Sequence, residues 1–441
     1  MYGVRNRSRW LVMCGIIAMA FVFTGCLDQI FGSTTETESP ADTESSVEFD
    51  PDRAYEITFG VYGDLEHAYA EVFASGHFTS LYPNITITLQ SDDYAGHHDR
   101  LTTQLDAGER TNDIEALEIA YVTRFVGQGD YLTDLNQSPY NADSVTGDLA
   151  EFAVAQGQTR NNQQVAIPVD IAPAVLFYRE DLALEHGADF KNLDSWDAYI
   201  TESIKVTGDG RYAVPNALDF AMLTFGGRGG WISPEGNPLE PKEKFIEALE
   251  LVRDVRQAGI DADLAVWESP WIESFSDGSV VTMPNGAWWG GPLRTWVAPN
   301  VQDWRVTRLP GQTMASLGGS FLSIPVTVPA ENRGAAWEVI KYLTTTSEAQ
   351  LSIFAEIDAF PVLTTTYFDP IMDEEITYFG DEQVRRLFAD VALNMPVHRL
   401  SVNDYTVEGI WQMLAGEVLE GELTPEQAYN KALEMIEEEL Y

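Results

Sequence analysis

Cysteine is almost absent from this 441-residue chain: the two present, Cys14 and Cys26, both fall within the first 26 residues. No disulfide framework can therefore hold the body together, and no thiolate is available there for a zinc site. Positive charge is scarce as well. Twenty-six Lys and Arg stand against 69 Asp and Glu, a formal net charge of −43. Nothing here could form the basic footprint that displaces counterions from phosphates, so nucleic acid is excluded as a partner. The signatures of nucleotide and ester chemistry are missing too, with no G-x-x-x-x-G-K-[ST] and no G-x-S-x-G. What the chain does have is 45% apolar and 11% aromatic residues. That is enough for a sizeable core and excludes a disordered acidic polymer.

The one long apolar run is N-terminal. Arg5, Arg7 and Arg9 precede the stretch Trp10 to Phe23, which ends in Thr24-Gly25-Cys26. A basic region before an apolar run too short to span a bilayer comfortably reads as a secretory leader, residues 1–25. The small residues before Cys26 suit lipidation of that cysteine after cleavage; an uncleaved N-terminal anchor is the alternative. Residues 26–54 are rich in Ser, Thr, Glu, Asp and Pro and read as a solvated tether. Anchor, tether and body together predict a protein held at the outer face of a cell membrane. Acids spread over the whole chain, with only six lysines, read as adaptation to high external salt rather than as a cation-binding surface.

The body alternates strand and helix. Tyr55 to Tyr62 opens as a strand, Leu65 to Phe73 follows as a helix, and Ile85 to Leu89 returns as a strand. Leu101 to Leu105 lies in the next helix, and Ile114 to Tyr121 is strand-like again. This spacing predicts an α/β body with a mostly parallel sheet, whose carboxyl-end loops face a ligand. A second set begins near Val165, with strands at 165–170, 174–178, 280–283, 304–310 and 321–325. Helices are predicted at 196–204, 241–258, 332–343, 383–393 and 425–440. The Gly226–Gly230 run lacks a P-loop lysine and reads as a surface loop. His67, His77, His97 and His98 crowd into 32 residues, but their spacing fits no compact ligand pattern, so neither metal nor cofactor is expected.

Eleven tryptophans are more than a core of this size needs. Trp196, Trp304 and Trp337 fall inside regular elements and read as core. Trp231, Trp267, Trp271 and the Trp288-Trp289 pair fall in or beside loops. Flat indoles beside Asp, Asn and Arg suit the C–H faces and hydroxyls of a sugar ring.

The ordered segments Tyr82–Ile87, Val165–Asp170, Leu176–Leu182, Phe275–Gly278, Met283–Trp288, Gly318–Pro325 and Ala335–Thr344 together resemble one family. It is the extracellular solute-binding proteins of ATP-driven importers, in the carbohydrate-binding, maltose-binding-protein-like branch. The resemblance implies an α/β, two-lobed periplasmic-binding-protein fold (type II-like) with hinge crossings and a central ligand cleft. The N-terminal lobe would comprise 55–169 and 308–358, the C-terminal lobe 170–307 and 359–441. It implies ligand contacts from Tyr62, Asp64, Asp170, Trp231, Trp288, Trp289, Gly319, Ser320 and Phe360, with either indole of the pair as the stacking one. It implies no catalysis, and a monomer that binds a carbohydrate and delivers it to membrane permease subunits by cleft closure. A receptor for a zwitterionic or cationic compatible solute, and a secreted carbohydrate-active enzyme, are the alternatives.

Overall fold

The computed structural model describes residues 48–440, except 128–130, 192, 224–229 and 234–235. The leader, Cys26, most of the tether and most of the Gly226–Gly230 run thus lie outside the described residues. The described residues belong to one compact unit with ten strands. These are β1 (Tyr55–Tyr62), β2 (Ile85–Asp92), β3 (Ile114–Glu118), β4 (Ile167–Pro168), β5 (Asp170–Ile171), β6 (Ala174–Arg179), β7 (Thr282–Gly286), β8 (Trp304–Thr307), β9 (Ser320–Ser323) and β10 (Phe360–Pro361).

Five of them form one sheet in the order β2-β1-β3-β9-β4. β1 runs parallel to β2 and β3, whereas β9 runs antiparallel to β3 and β4. The edge strand β2 alternates as its Ile-Thr-Ile-Thr-Leu sequence dictates, with both threonines exposed and the apolar positions turned inward. Central β1 is buried along its last four residues. A Cβ on Gly60 would fall 1.9 Å from Glu115 Oε2, so any larger residue there would have to displace the buried Glu115 side chain. The apolar run from Ile114 remains a strand only to Glu118; from Ile119 it is a helix, Ile119–Gly127. Continuous apolar sequence suits either state, and periodicity alone could not find that break.

A three-stranded sheet, β7-β6-β8, has β6 antiparallel to both neighbours and fully buried. Between the two sheets β5 and β10 make a short antiparallel ribbon, Ile171 opposite Phe360 and Asp170 opposite Pro361. Gln350, buried, locks this crossing. Its Nε2 donates to the carbonyls of Val169 and Leu343, both at 2.8 Å, and its Oε1 accepts from the amides of Val362 at 2.9 Å and Leu363 at 3.2 Å. One apolar cluster runs through β1, the ribbon and β6, joining Phe59, Ile171, Phe177, Trp304 and Phe360. A second packs the helices Lys242–Gln257, Asp404–Leu419 and Pro425–Leu440 on the other side of the three-stranded sheet. Trp304 and Trp337 are enclosed, as their positions in regular elements suggested; Trp196 is half-buried and donates to Thr313 Oγ1 at 3.1 Å.

Candidate functional site

A cavity of about 1130 Å³ opens where β1 and β3 end, on the edge that open α/β sheets present to ligands. Tyr62 closes β1 and Glu118 closes β3, while Ser320 starts β9 directly opposite Glu118. Their side chains are coupled. Tyr62 Oη lies 2.9 Å from Ser320 Oγ, and the Ser320 amide donates to Asp170 Oδ1 at 3.0 Å. Gly318 and Gly319 make this approach possible, with φ of +108° and +126°. A Cβ on Gly319 would lie 3.2 Å from the Asp170 carbonyl oxygen. Asp170 is 6% exposed, yet its Oδ2 has no partner among the described residues. Glu118 accepts from Tyr94 Oη at 2.9 Å and from the Ala120 amide at 2.8 Å.

The histidines nearby are spoken for. His98 Nδ1 donates to the Tyr94 carbonyl at 2.7 Å and its Nε2 accepts from the Glu118 amide at 3.0 Å, so it is neutral and ties two cavity-lining residues together. His97 Nε2 donates to the Ala116 carbonyl at 2.8 Å, and Arg100 approaches its Nδ1 at 3.2 Å. Burial lowers both imidazoles to about 4. Among the described residues no group of three metal-ligating side chains occurs.

Indoles make the opposite wall. Trp288 reaches the cavity from the tight turn after β7, its Nε1 donating to the Leu317 carbonyl at 2.8 Å. Trp267 lies nearly parallel to it, with ring centroids 6.3 Å apart at 24°. Trp267 is 52% exposed and adopts φ +66°, a left-handed conformation that costs a bulky residue about 1–3 kcal/mol. Behind them Trp289 and Trp271 pack edge-on, centroids 5.3 Å apart, with Phe275 5.1 Å from Trp289. Trp296, half-exposed on a single π-turn (Leu293–Val297), flanks the mouth.

The remaining side is polar. Glu408 and Gln412 project from one face of the helix Asp404–Leu419, beside Trp231, Asp219 and His398. Trp231 hydrogen-bonds the Glu408 carboxyl. Burial pushes Glu118, Asp219 and Glu408 up to about 7 and Asp170 to about 6. The charges of Asp170 and Glu408 raise Glu118 further.

Seven of the nine residues expected to contact ligand therefore line one cavity: Tyr62, Asp64, Asp170, Trp231, Trp288, Gly319 and Ser320. Two do not. Trp289 is fully enclosed behind Trp288. Phe360 is fully enclosed among Phe354, Tyr367 and Phe388, its side chain directed from the ribbon into the core. Sequence reasoning missed Tyr94, Glu118, Asp219, Trp296, Glu408 and Gln412. Glu118 had a signal, as the acid ending a central strand. Glu408 and Gln412 had a weaker one, polar residues four apart on a helix whose Val407, Trp411 and Leu414 are buried.

The chain belongs to the bacterial extracellular solute-binding proteins, whose family model matches residues 75–376. An arabinooligosaccharide-binding protein of Halalkalibacterium halodurans is 21% identical over 421 residues, covering 90% of this chain and 92% of that one. A crystal structure described as an extracellular solute-binding protein family 1 superposes with a TM-score of 0.76 at 20% identity, over 87% of this chain and 99% of its own. The galacto-N-biose-/lacto-N-biose I-binding protein of Bifidobacterium longum superposes with a TM-score of 0.72 at 18% identity, over 89% and 98%. The fold is thus the α/β fold of this family.

Proposed function

We propose that the protein is the extracytoplasmic receptor of an ATP-driven importer. It captures an oligosaccharide with high affinity and passes it to membrane permease subunits. The observation that carries this is the cavity itself, lined by both indoles and carboxyls. Its volume exceeds the roughly 300–1,000 Å³ of most small-molecule pockets, which suits several linked sugar rings. The names of the relatives support a carbohydrate.

Two finer readings accompany it. The segments before and after the ribbon feed different sheets, β1–β4 and β9 on one side, β6–β8 on the other. This partition supports two lobes, 55–169 with 308–358 and 170–307 with 359–441, that close over ligand about the ribbon. Cys26 is the lipidated N-terminus of the mature chain, and residues 26–54 tether the body to the outer face of the membrane.

A thermal-shift panel of mono-, di- and oligosaccharides in high-salt buffer tests the receptor reading. A ligand that binds only the folded state adds about 2.7 kcal/mol at one hundred times its Kd, so one saccharide class should raise the melting temperature. If no saccharide does so while a betaine or amino acid does, the sugar reading fails.

A further inference from the structure

We infer that the oligosaccharide taken by this cavity is cationic, one whose rings carry free amino groups; the inference rests on the receptor reading above. Five carboxyls line the cavity, those of Asp64, Glu118, Asp170, Asp219 and Glu408, all but the exposed Asp64 at least partly buried, and among the described lining residues there is no Lys or Arg. The acid-rich surface of the chain does not explain this. Surface carboxylates are hydrated and screened, whereas a carboxylate inside a cavity loses water without gaining counterions.

The second observation is Asp170. It is nine-tenths buried and lines the cavity. One oxygen is held by the Ser320 amide, while Oδ2 has no partner among the described residues. It is a buried acceptor left without a donor in the ligand-free protein. Hydroxyls of a neutral sugar would satisfy that oxygen but leave the mutual repulsion of Glu118, Asp170 and Glu408 in place. An ammonium supplies three N–H donors and cancels one charge.

The aromatic wall points the same way. Trp288 and the half-exposed Trp267 and Trp296 line the cavity, and indole faces attract cations as well as C–H surfaces. A small quaternary ammonium would need only a fraction of about 1130 Å³. The size of the site favours an amino group carried on an oligomer.

The test is titration calorimetry of the full chain with oligomers of glucosamine and of galactosamine, each against its fully N-acetylated counterpart of equal length. Neutral pentose and hexose oligomers are included. Acetylation removes the charge and keeps the ring. The expected result is at least ten-fold tighter binding of one free-amine oligomer than of its acetylated partner. That ratio should fall toward one in Asp170→Asn and Glu118→Gln, with folding checked by melting temperature. Equal or tighter binding of acetylated or neutral oligomers overturns the inference and leaves the receptor reading standing. Binding of no amino oligomer also overturns it. If no saccharide of any kind binds, both readings fall together. The wild-type ratio decides the matter even if the variants prove unstable.

Discussion

Trp289 has no exposed surface and packs edge-on against Trp271, Phe275 and Trp288. Trp289→Ala opens a void that these rings cannot fill, and should cost about 3–5 kcal/mol in chemical denaturation. Trp288 faces the cavity instead. Trp288→Ala should weaken ligand binding roughly ten-fold in calorimetry with a much smaller loss of stability. The sequence announces the pair but not the division of labour. Successive residues of a tight turn point in different directions, and only the packing of Trp271 and Phe275 decides which one turns inward. Trp267 was visible as a loop tryptophan, but not its left-handed backbone. Nothing in the Ala265-Val266-Trp267-Glu268 sequence demands φ of +66°; the surrounding structure imposes it, and the reward is an indole held over the cavity.

At the scale of elements, the strands and helices with strong local pattern were legible. β1 was found to the residue, and the helix Pro425–Leu440 likewise. The helix Trp196–Val206 begins where Ser195 accepts from the Ala198 amide at 3.1 Å, a side-chain cap on its first turn. The failures have a common cause. Phe360 was expected in the site because the family resemblance implies a cleft residue at that position, yet a two-residue ribbon sends alternate side chains to opposite faces, and its own goes to the core. The Glu408 and Gln412 spacing looks like an ordinary solvated helix face until the cavity is seen beneath it. The glycine turn before β9 brings Ser320 up to Asp170, and its geometry makes a prediction. Gly319→Ala keeps the positive φ and sets a methyl 3.2 Å from the Asp170 carbonyl oxygen. It should cost about 1–3 kcal/mol of stability and, by displacing Ser320 from Asp170, weaken binding more than its small volume suggests.

For the whole molecule the dominant fact is charge, and much of it is poorly solvated. Glu115, Glu118, Asp219, Asp404 and Glu408 are all raised to about 7, and Asp170 to about 6, by burial. Each binds a proton in the folded protein at a pH where its unfolded counterpart is ionised. Their contribution to stability is thus present at low pH and lost as pH rises through about 6–7. His97 and His98, lowered to about 4, act oppositely, weakening the fold as pH falls below their unfolded value of about 6.5. Six carboxyls outweigh three imidazoles, His398 being lowered by burial as well. The ligand-free protein should therefore melt at a higher temperature near pH 5.5 than near pH 8, with the slope reduced in Glu118→Gln. None of this was readable from composition, because the same acid residue is cheap on the surface and costly in a cavity.

The saturated side chain of Gln350 has a consequence for solvent exchange. The amide hydrogens of Val362 and Leu363 are held by its one oxygen, deep beside the buried β5–β10 ribbon. They should exchange with deuterium only when the entire fold opens, making them an internal gauge of global opening. The Ser320 amide, held by Asp170 at the cavity wall, reports local events instead. A ligand bound only by the folded chain must slow exchange at Val362 and Leu363 by its whole stabilisation of the fold. At Ser320 it slows exchange only as far as it suppresses the local opening there.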